Sequence, residues 1–312
     1  MSFAVNGQDR AMSDIDDVLI VGGSFAGLSA ALPLLRARRR VRIVDGGLPR
    51  NRYSPEAHTV FGFDGVPPHD ILATARRQAH AYPTLVEEQD RVVGAEQQGE
   101  VFAVTLESGT IRHARRLLLA FGVADQFPDL PGFQACWGLS VLHCPYCHGY
   151  ENADRHWGVM VDPAFLDHVL PLYREWTHQL TVFTNGGPIG PEARATIARL
   201  SIPVIAAPVT ALLHADGVIA AVETADGSRH PVDVLLAPPP VRPSSPLAEA
   251  LGCAMTPGPL GPYVEVDAMG TTSVPGIFAA GDLANPMHSV AAALGAGAMA
   301  GAALHRSLLL GH

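Results

Sequence analysis

Two cysteines separated by two residues are the part of this sequence best suited to chemistry. Cys144 and Cys147 form a C-x-x-C pair, and His143 and His148 lie directly before and after it. In an α/β chain, two thiols at this spacing are typical of a couple that cycles between a dithiol and a disulfide. A neighbouring imidazole can take a proton from a thiol, or stabilise a thiolate when it is charged. The stretch therefore predicts a thiol–disulfide exchange centre.

Two other interpretations of this stretch are weaker. The residues from Cys144 to His148 also spell C-x-x-C-H, the attachment pattern for c-type haem. Such attachment accompanies export, and the N-terminus has an acidic flank that is wrong for a signal peptide. A zinc site would need a second pair of ligands, and His143 and His148 are too close in sequence to form an obvious one. We expect no bound metal, and we expect Cys136 and Cys253 to be single buried thiols.

A glycine-rich turn near the N-terminus predicts a nucleotide site. A short apolar run leads into the string G-G-S-F-A-G, and a helical stretch and a second strand follow. The string matches G-x-G-x-x-G: Gly22 permits the sharp turn, Ser24 lets the backbone approach a pyrophosphate, and Gly27 lets the helix sit close to the strand. Asp45 ends the second strand, where a carboxylate can accept hydrogen bonds from ribose hydroxyls. The complete unit predicts a dinucleotide-binding Rossmann domain.

A second fingerprint lies near the C-terminus. The segment from Val274 to Asp282 is predicted to be a strand that ends in Gly281-Asp282, and a helix of small residues follows from about Ser289 to Leu309. A carboxylate at this place can bind a ribityl chain, and the amides at the start of the helix can face the pyrimidine edge of a flavin. This pattern favours a flavin nucleotide as the ligand.

Composition and charge exclude several classes of partner. The 312-residue chain has a formal net charge of -9 and no basic face suited to phosphate-backbone binding, so we expect no nucleic-acid partner. The uncharged stretch 18–35 is as long as a membrane span, but its glycines and Pro33 follow the pattern of a strand, a turn and a helix. Its four cysteines are too few for a secreted disulfide scaffold of this length. We therefore expect no membrane partner and a cytoplasmic location.

Together these motifs resemble the low-molecular-weight thioredoxin reductase family of flavoproteins. The resemblance covers nearly the whole chain and rests on the glycine-rich turn with Asp45, the strand into Gly122, the C-x-x-C pair and Gly281-Asp282. It implies an α/β fold of two Rossmann-like domains, FAD as the cofactor, and a homodimer. In that arrangement an FAD-binding domain, residues 14–125 and 241–312, is split by an inserted domain, residues 126–240. The inserted domain is of the nicotinamide type and carries the cysteine pair.

The predicted site residues fall into two groups. The residues predicted to hold FAD are Gly22, Ser24, Phe25, Ala26, Gly27, Asp45, Asn51, Gly122, Gly281, Asp282 and Val290. The residues predicted to carry the chemistry are Cys144, Cys147, His148 and His288. Reductases of this family have an aspartate directly after the second cysteine as acid and base, so His148 is the candidate base here. His288 occupies the position of a family arginine near the active site and is a second candidate base.

The segment around the cysteine pair also resembles a more specific group of enzymes. The string C-P-Y-C-H-G-Y-E resembles the small-molecule dithiol oxidases that close disulfides in natural products such as gliotoxin, holomycin and romidepsin. After the predicted strand 157–161, Asp162-Pro163 replaces the glycine-rich turn of a reductase: the proline removes an amide donor and the aspartate repels a pyrophosphate. The segment 184–187 contains no arginine, although family arginines would hold the 2′-phosphate there. These departures disfavour NADPH binding and leave the inserted domain with a degenerate nicotinamide site.

The sequence accordingly predicts an FAD-dependent oxidase of a small-molecule dithiol, with O2 as the final electron acceptor. A substrate thiolate, generated with help from His148 or His288, would attack Cys144, and the second substrate thiol would release a cyclic disulfide. Cys147 would lie against the flavin and pass electrons into it. Two alternatives stay open: an NADPH-dependent reductase of thioredoxin or another disulfide, and a non-catalytic flavoprotein sensor whose C-x-x-C pair acts as a switch.

Overall fold

The residues described in the computed structural model are 15–311. The predicted start of the FAD domain, residue 14, lies outside this range. Contacts divide the chain into two compact units. The first unit comprises the described residues up to Arg50, His69–Ala124, and the described residues from Val241 onward, and the second comprises Asn51–Pro68 and Asp125–Pro240.

Both units contain helices and strands. In the described part of the chain the helices are α1 (Phe25–Arg36), α2 (Pro68–His80), α3 (Phe133–Cys136), α4 (Pro145–His148), α5 (Leu166–Tyr173), α6 (Pro191–Leu200), α7 (Leu247–Ala250) and α8 (Val290–Leu310). One-turn 3₁₀ helices cover Arg50–Tyr53, Pro163–Phe165 and Gly281–Leu283. The strands are β1 (Ile15–Val21), β2 (Val41–Asp45), β3 (Leu85–Gln89), β4 (Val92–Gln98), β5 (Val101–Leu106), β6 (Ile111–Leu119), β7 (Val123–Asp125), β8 (Val141–Leu142), β9 (Trp157–Val159), β10 (Leu180–Phe183), β11 (Val204–Ile205), β12 (Val209–Ala215), β13 (Val218–Thr224), β14 (Arg229–Pro231), β15 (Val234–Leu236), β16 (Val241–Pro243), β17 (Met255–Thr256), β18 (Tyr263–Val264) and β19 (Ile277–Ala279).

The first unit is built on a sheet with the strand order β3-β2-β1-β6-β5-β4, in which β19 also pairs with β6. Strands β3, β2, β1, β6 and β19 run parallel, while β4 and β5 continue from β6 as an antiparallel meander. Residues 18–21 of β1 are all buried, as expected for a parallel strand that is covered on both faces. The predicted βαβ unit is therefore present, with Asp45 at the end of β2.

Helix α8 lies along α1 in the first unit because glycine removes the side chain that would separate them. A Cβ atom on Gly297 would overlap the carbonyl oxygen of Ala26. The hydroxyl of Ser29 donates a hydrogen bond of 2.7 Å to the carbonyl of Leu294. By length and composition alone α8 could cross a membrane. A helix in the core of a protein passes the same test of length and composition, and α8 packs closely against α1. Length and composition are therefore weak evidence that α8 spans a membrane.

The second unit contains a parallel sheet with the strand order β11-β10-β9-β15-β8 and an antiparallel sheet of β12, β13 and β14. Strands β9 and β10 pair in parallel, and α5 connects them. Every residue of β9, β10 and β15 is buried, as in a strand that lies between two layers. The predicted α/β fold with Rossmann-like sheets is confirmed.

Residues 51–68 belong to the second unit, whereas the sequence places them within the first FAD segment. A Cβ atom on Gly138 would lie 2.9 Å from the carbonyl oxygen of Tyr53, so the two backbones are in contact. The Nε2 atom of His58 lies 3.4 Å from Oε1 of Glu151. These contacts join residues far apart in sequence, which is why no local pattern indicates them.

Candidate active site

The glycine-rich turn between β1 and α1 leaves no room for a side chain at two of its positions. Gly22 has a φ of 108°, and a Cβ atom there would overlap the carbonyl oxygen of Ala120. Gly27 lies so close to Gly22 that a Cβ atom would overlap the Gly22 carbonyl oxygen. The Gly22 amide donates a hydrogen bond of 2.8 Å to Val44, which fixes the turn. The backbone can therefore approach a pyrophosphate at the start of α1, and the turn fits FAD.

The carboxylate that ends β2 lies beside this turn. Oδ2 of Asp45 accepts a hydrogen bond of 2.9 Å from Arg76, and the same guanidinium group donates to the Gly23 carbonyl at 3.1 Å. A Cβ atom on Gly23 would lie 2.9 Å from Cβ of Asp45. Within the part of the chain that the structure describes, Oδ1 of Asp45 accepts no hydrogen bond. That oxygen suits a ribose hydroxyl, and Arg76, which orients the carboxylate, is a residue that the sequence did not indicate.

Three of the predicted FAD glycines meet at one edge of the sheet. Gly22, Gly122 and Gly281 follow the carboxyl ends of the parallel strands β1, β6 and β19. Ligands of open α/β sheets bind outside this edge. Gly122 has a φ of 68°, and a Cβ atom there would meet no atom within 4 Å, so the space beside it is open. A Cβ atom on Gly281 would lie 2.9 Å from Cβ of Ala26, which places that glycine against the first turn of α1.

The remaining predicted FAD residues lie at the starts of α1 and α8 and in two 3₁₀ turns. Asp282 directly follows Gly281, and its Oδ2 accepts a hydrogen bond of 3.1 Å from Nη1 of Arg50. Val290 is the first residue of α8, whose N-cap is Ser289. Ser24 is the N-cap residue of α1 and Phe25 is its first residue, and Phe25 is buried. Asn51 lies in the 3₁₀ turn after Arg50 and is grouped with the second unit.

The cysteine pair lies at the start of α4 in the second unit. Cys144 is the N-cap residue of α4 and has an extended backbone, with φ -132° and ψ 120°. Pro145 is the first helical residue, a position where its missing amide costs no helical hydrogen bond. The Cys147 amide donates a hydrogen bond of 3.3 Å to the Cys144 carbonyl. Their side chains are also within hydrogen-bonding reach, so the two sulfur atoms can be joined.

Hydrogen bonds make Cys144 an acidic thiol. The side chain of Cys147 donates to its sulfur, and the backbone amides of Cys147 and Tyr146 also lower its pKa. These contacts outweigh burial, and the pKa of Cys144 falls to about 7. Burial instead raises the pKa of the Cys136 and Cys253 thiols. A thiol with a pKa near neutral is substantially ionised at physiological pH and leaves readily in thiol–disulfide exchange.

We expect iodoacetamide to alkylate Cys144 of the dithiol-reduced protein with an apparent pKa of about 7. Because the thiolate is the nucleophile, the rate should rise about tenfold per pH unit below this pKa and level off above it. Peptide mass spectrometry after timed quenching identifies the modified cysteine. Cys136 and Cys253 are internal controls that should stay unmodified over the same interval. Faster modification of Cys147 than of Cys144 would contradict the assignment.

Burial favours the neutral form of the His148 imidazole, which directly follows the cysteine pair. Burial lowers the pKa of His148, the Glu151 carboxylate raises it, and the charge of His58 lowers it, with burial as the largest effect. The Asn152 side chain donates a hydrogen bond of 2.8 Å to the His148 carbonyl, which anchors the end of α4. A neutral imidazole can accept a proton, so His148 suits the role of a base. His58 and Glu151 were not among the predicted site residues.

The predicted catalytic residues divide between the two units. Cys144, Cys147 and His148 lie together in and around α4 of the second unit. His288 lies in the first unit, directly before the N-cap residue of α8, with the predicted FAD residues. The structure therefore supports His148 as a neighbour of the thiols, while the role of His288 stays a prediction.

The loop after β9 is closed by a capped turn and contains no glycine. Strand β9 ends at Val159, two residues before the predicted end. The side chain of Asp162 accepts a hydrogen bond of 2.9 Å from the Ala164 amide, and Pro163 begins the 3₁₀ turn. One amide of this turn is thus used by Asp162 and another is absent at Pro163. The turn offers a pyrophosphate a carboxylate where a dinucleotide site offers amide donors.

Comparison with known proteins agrees with this geometry. The profile of the family described as pyridine nucleotide-disulphide oxidoreductases matches residues 16–208 and 189–297. The chain belongs to this family. It is a flavin-dependent thiol–disulfide oxidoreductase that binds FAD, and its resemblance to the thioredoxin reductases is confirmed.

Three relatives show how far this oxidoreductase resembles known proteins. It is 33% identical over 311 residues to the protein named thioredoxin reductase tcpT of Claviceps purpurea, and the match covers 95% of each chain. The solved structure of an oxidoreductase from Agrobacterium tumefaciens is 40% identical, with a TM-score of 0.90 and coverage of 96% of this chain and 100% of that one. The crystal structure of HlmI is 35% identical, with a TM-score of 0.88 and coverage of 95% and 93%. The similarity therefore extends over both units.

Proposed function

We propose that this oxidoreductase is a dithiol oxidase, which forms an intramolecular disulfide in a small-molecule dithiol and uses O2 as the final electron acceptor. The observation that carries the proposal is the loop after β9, where a turn capped by Asp162 replaces the glycine-rich turn of a nicotinamide site. The exchange centre, by contrast, has both of its cysteines, and the FAD turn has the glycines that its close contacts require. Electrons then enter from substrate thiols and not from NADPH.

The exchange begins when a substrate thiolate attacks Sγ of Cys144 in the Cys144–Cys147 disulfide. A bond forms between the substrate sulfur and Cys144, and Cys147 leaves as a thiolate. The second substrate thiolate then attacks the substrate sulfur of this mixed disulfide, which closes the cyclic disulfide and releases the Cys144 thiolate. Two electrons have moved from the substrate to the cysteine pair, and His148 takes a proton from a substrate thiol.

The acidity of Cys144 supports this direction of exchange. A thiol of lower pKa leaves a mixed disulfide faster, and once the Cys147 thiolate has taken up a proton, its side chain donates to Cys144 and lowers the Cys144 pKa to about 7. Ring closure of the substrate is therefore not held back by the departure of Cys144. When bound through the glycine-rich turn and Asp45, FAD supplies the two-electron acceptor that restores the cysteine disulfide.

Two exposed aromatic rings, one between the cysteines in sequence and one three residues after them, support a small organic substrate. The side chains of Tyr146 and Tyr150 are 61% and 85% exposed. The Tyr146 ring meets Trp176 edge-on, with 5.5 Å between ring centroids, so its orientation is restrained. Such rings offer apolar contact area to an uncharged molecule, in keeping with a natural-product dithiol. A cytoplasmic location and a homodimer stay predictions.

Anaerobic stopped-flow mixing tests the proposed function. We expect dithiothreitol to bleach the flavin absorbance rapidly and NADPH to leave it unchanged. In the presence of O2, oxidation of the dithiol should continue over many turnovers and produce hydrogen peroxide. A monothiol is the control, because it cannot close a ring. Rapid bleaching by NADPH would favour a disulfide reductase, and reduction without repeated turnover would favour a redox sensor.

A further inference from the structure

The base beside the cysteine pair must dispose of the proton that it takes. Conversion of one dithiol to a disulfide releases two protons along with two electrons. His148 is only partly accessible, and burial lowers its pKa. A base in this position can act in the next cycle only after it has given its proton up, either to solvent or towards the peroxide that O2 forms, so the groups around His148 are candidates for proton transfer.

A surface loop presents a second imidazole, His58, between carboxylates. Oδ1 of Asp64 accepts a hydrogen bond of 2.7 Å from the Thr59 amide, which closes the loop. Oδ2 of the same carboxylate lies 3.6 Å from Nδ1 of His58. The His58 side chain is 17% exposed, while that of Asp64 is 69% exposed. One nitrogen of the ring therefore faces a carboxylate that is open to solvent.

The other nitrogen of His58 faces the end of α4. Nε2 lies 3.4 Å from Oε1 of Glu151 and 3.5 Å from Oε2 of Glu56. Glu151 follows His148 by three residues, and the charges of both Glu151 and His58 act on the His148 imidazole. The side chains of Glu151 and Glu56 are 41% and 52% exposed. His58 thus joins Glu151, three residues after His148, to the exposed carboxylates of Glu56 and Asp64.

We propose that Glu151 and His58 form a proton-release path from His148 to solvent. The proposal rests on the proposed function, in which His148 takes the proton of a substrate thiol. The S–H bond of the substrate breaks and an N–H bond forms on His148; the proton then passes to Glu151 and His58, and Glu56 or Asp64 hands it to buffer. Each transfer moves one proton and no electrons, and it regenerates the neutral base.

A purely electrostatic role for the same residues makes a different prediction. The charged groups that act on His148 are Glu151, which raises its pKa, and His58, which lowers it. The Arg155 guanidinium donates to Oδ1 of Asn152 at 2.9 Å and is not among the charges that shift the pKa of His148. Glu151→Gln should therefore lower the pKa of His148 and His58→Gln should raise it. If electrostatics alone mattered, the two variants would shift the pH profile of oxidation in opposite directions.

The test measures steady-state oxidation of dithiothreitol by the FAD-loaded protein at low buffer concentration, with and without added imidazole. We expect Glu151→Gln and His58→Gln to lose about tenfold in turnover, and added imidazole to restore it by taking the proton from His148 directly. His168→Gln is the matched control, because His168 pairs with Asp167 at 3.3 Å on the surface of the same unit. It should turn over like the unaltered protein.

Iodoacetamide alkylation of Cys144 in each reduced variant checks that the exchange centre is intact. The path is overturned by unaltered turnover of both variants at low buffer, or by a loss that imidazole does not restore. It is also overturned by opposite shifts of the pH profile without a loss of maximal turnover. Failure of the unaltered protein to oxidise any dithiol would contradict the proposed function itself, and the path with it.

Discussion

Replacement of Cys147 by serine or by alanine is expected to lower the rate of dithiol oxidation by about 10³-fold or more. Without the second sulfur atom the protein cannot form the Cys144–Cys147 disulfide, so a substrate thiolate has no disulfide bond to attack. Both variants should be measured by peroxide production with dithiothreitol and by anaerobic bleaching of the flavin. Both signals should be lost together, since they depend on the same exchange.

The two variants should differ in the acidity of the remaining thiol. In the unaltered protein, the hydrogen bond from the Cys147 side chain is the largest cause that lowers the pKa of Cys144. A serine hydroxyl at position 147 can still donate to the Cys144 thiolate, whereas an alanine methyl group cannot. The apparent pKa for alkylation of Cys144 should therefore rise in Cys147→Ala and change less in Cys147→Ser.

Cys253→Ala is the control for the loss of a thiol. Cys253 lies in the core of the first unit, 3.8 Å from the Thr272 hydroxyl, and burial raises its pKa. Its replacement should leave dithiol oxidation unchanged and cost a small amount of stability, about 1 kcal/mol. If Cys147→Ser oxidised dithiols at the rate of the unaltered protein, the exchange mechanism would be wrong, because substrate thiols would then not need the cysteine pair.

The parts of the site that the sequence predicts are those that a short segment determines. The turn from Gly22 to Gly27 and the acid Asp45 lie in one βαβ unit, where steric contact between neighbouring elements requires glycine. The cysteine pair is equally local, since two sulfur atoms three residues apart meet across the first turn of a helix. The order of these local motifs along the chain was enough to predict the α/β fold.

The residues that orient these groups could not be predicted in the same way. Arg50 and Asp282 pair across 232 residues of sequence, and Arg76 reaches Asp45 across 31. The contact between His58 and Glu151 depends on the folding of residues 51–68 with the second unit. A single arginine or histidine in a helix or loop carries no periodic signal, so only tertiary structure reveals its partner. One strand end also differs from the prediction, since β9 ends at Val159 and a turn capped by Asp162 follows it.

Replacement of Gly27 by alanine is expected to destabilise the first unit by about 3 kcal/mol and to weaken FAD binding about tenfold or more. The added Cβ atom would overlap the carbonyl oxygen of Gly22. That turn cannot retreat easily, because the Gly22 amide is bonded to Val44 at 2.8 Å and a φ of 108° already restricts its backbone. Helix α1 cannot move away either, because α8 contacts it at Gly297, where a Cβ atom would overlap the Ala26 carbonyl.

Gly295→Ala is the matched control for this substitution. Gly295 lies in α8 of the same unit, but a Cβ atom there would meet no atom within 4 Å. Because alanine favours a helix over glycine, this variant should be more stable by about 0.5–1 kcal/mol and should keep its flavin. Denaturant unfolding and the flavin-to-protein absorbance ratio after dialysis measure both effects. A Gly27→Ala protein that retained FAD like Gly295→Ala would show that the close approach of Gly27 to Gly22 is not what shapes the pyrophosphate site.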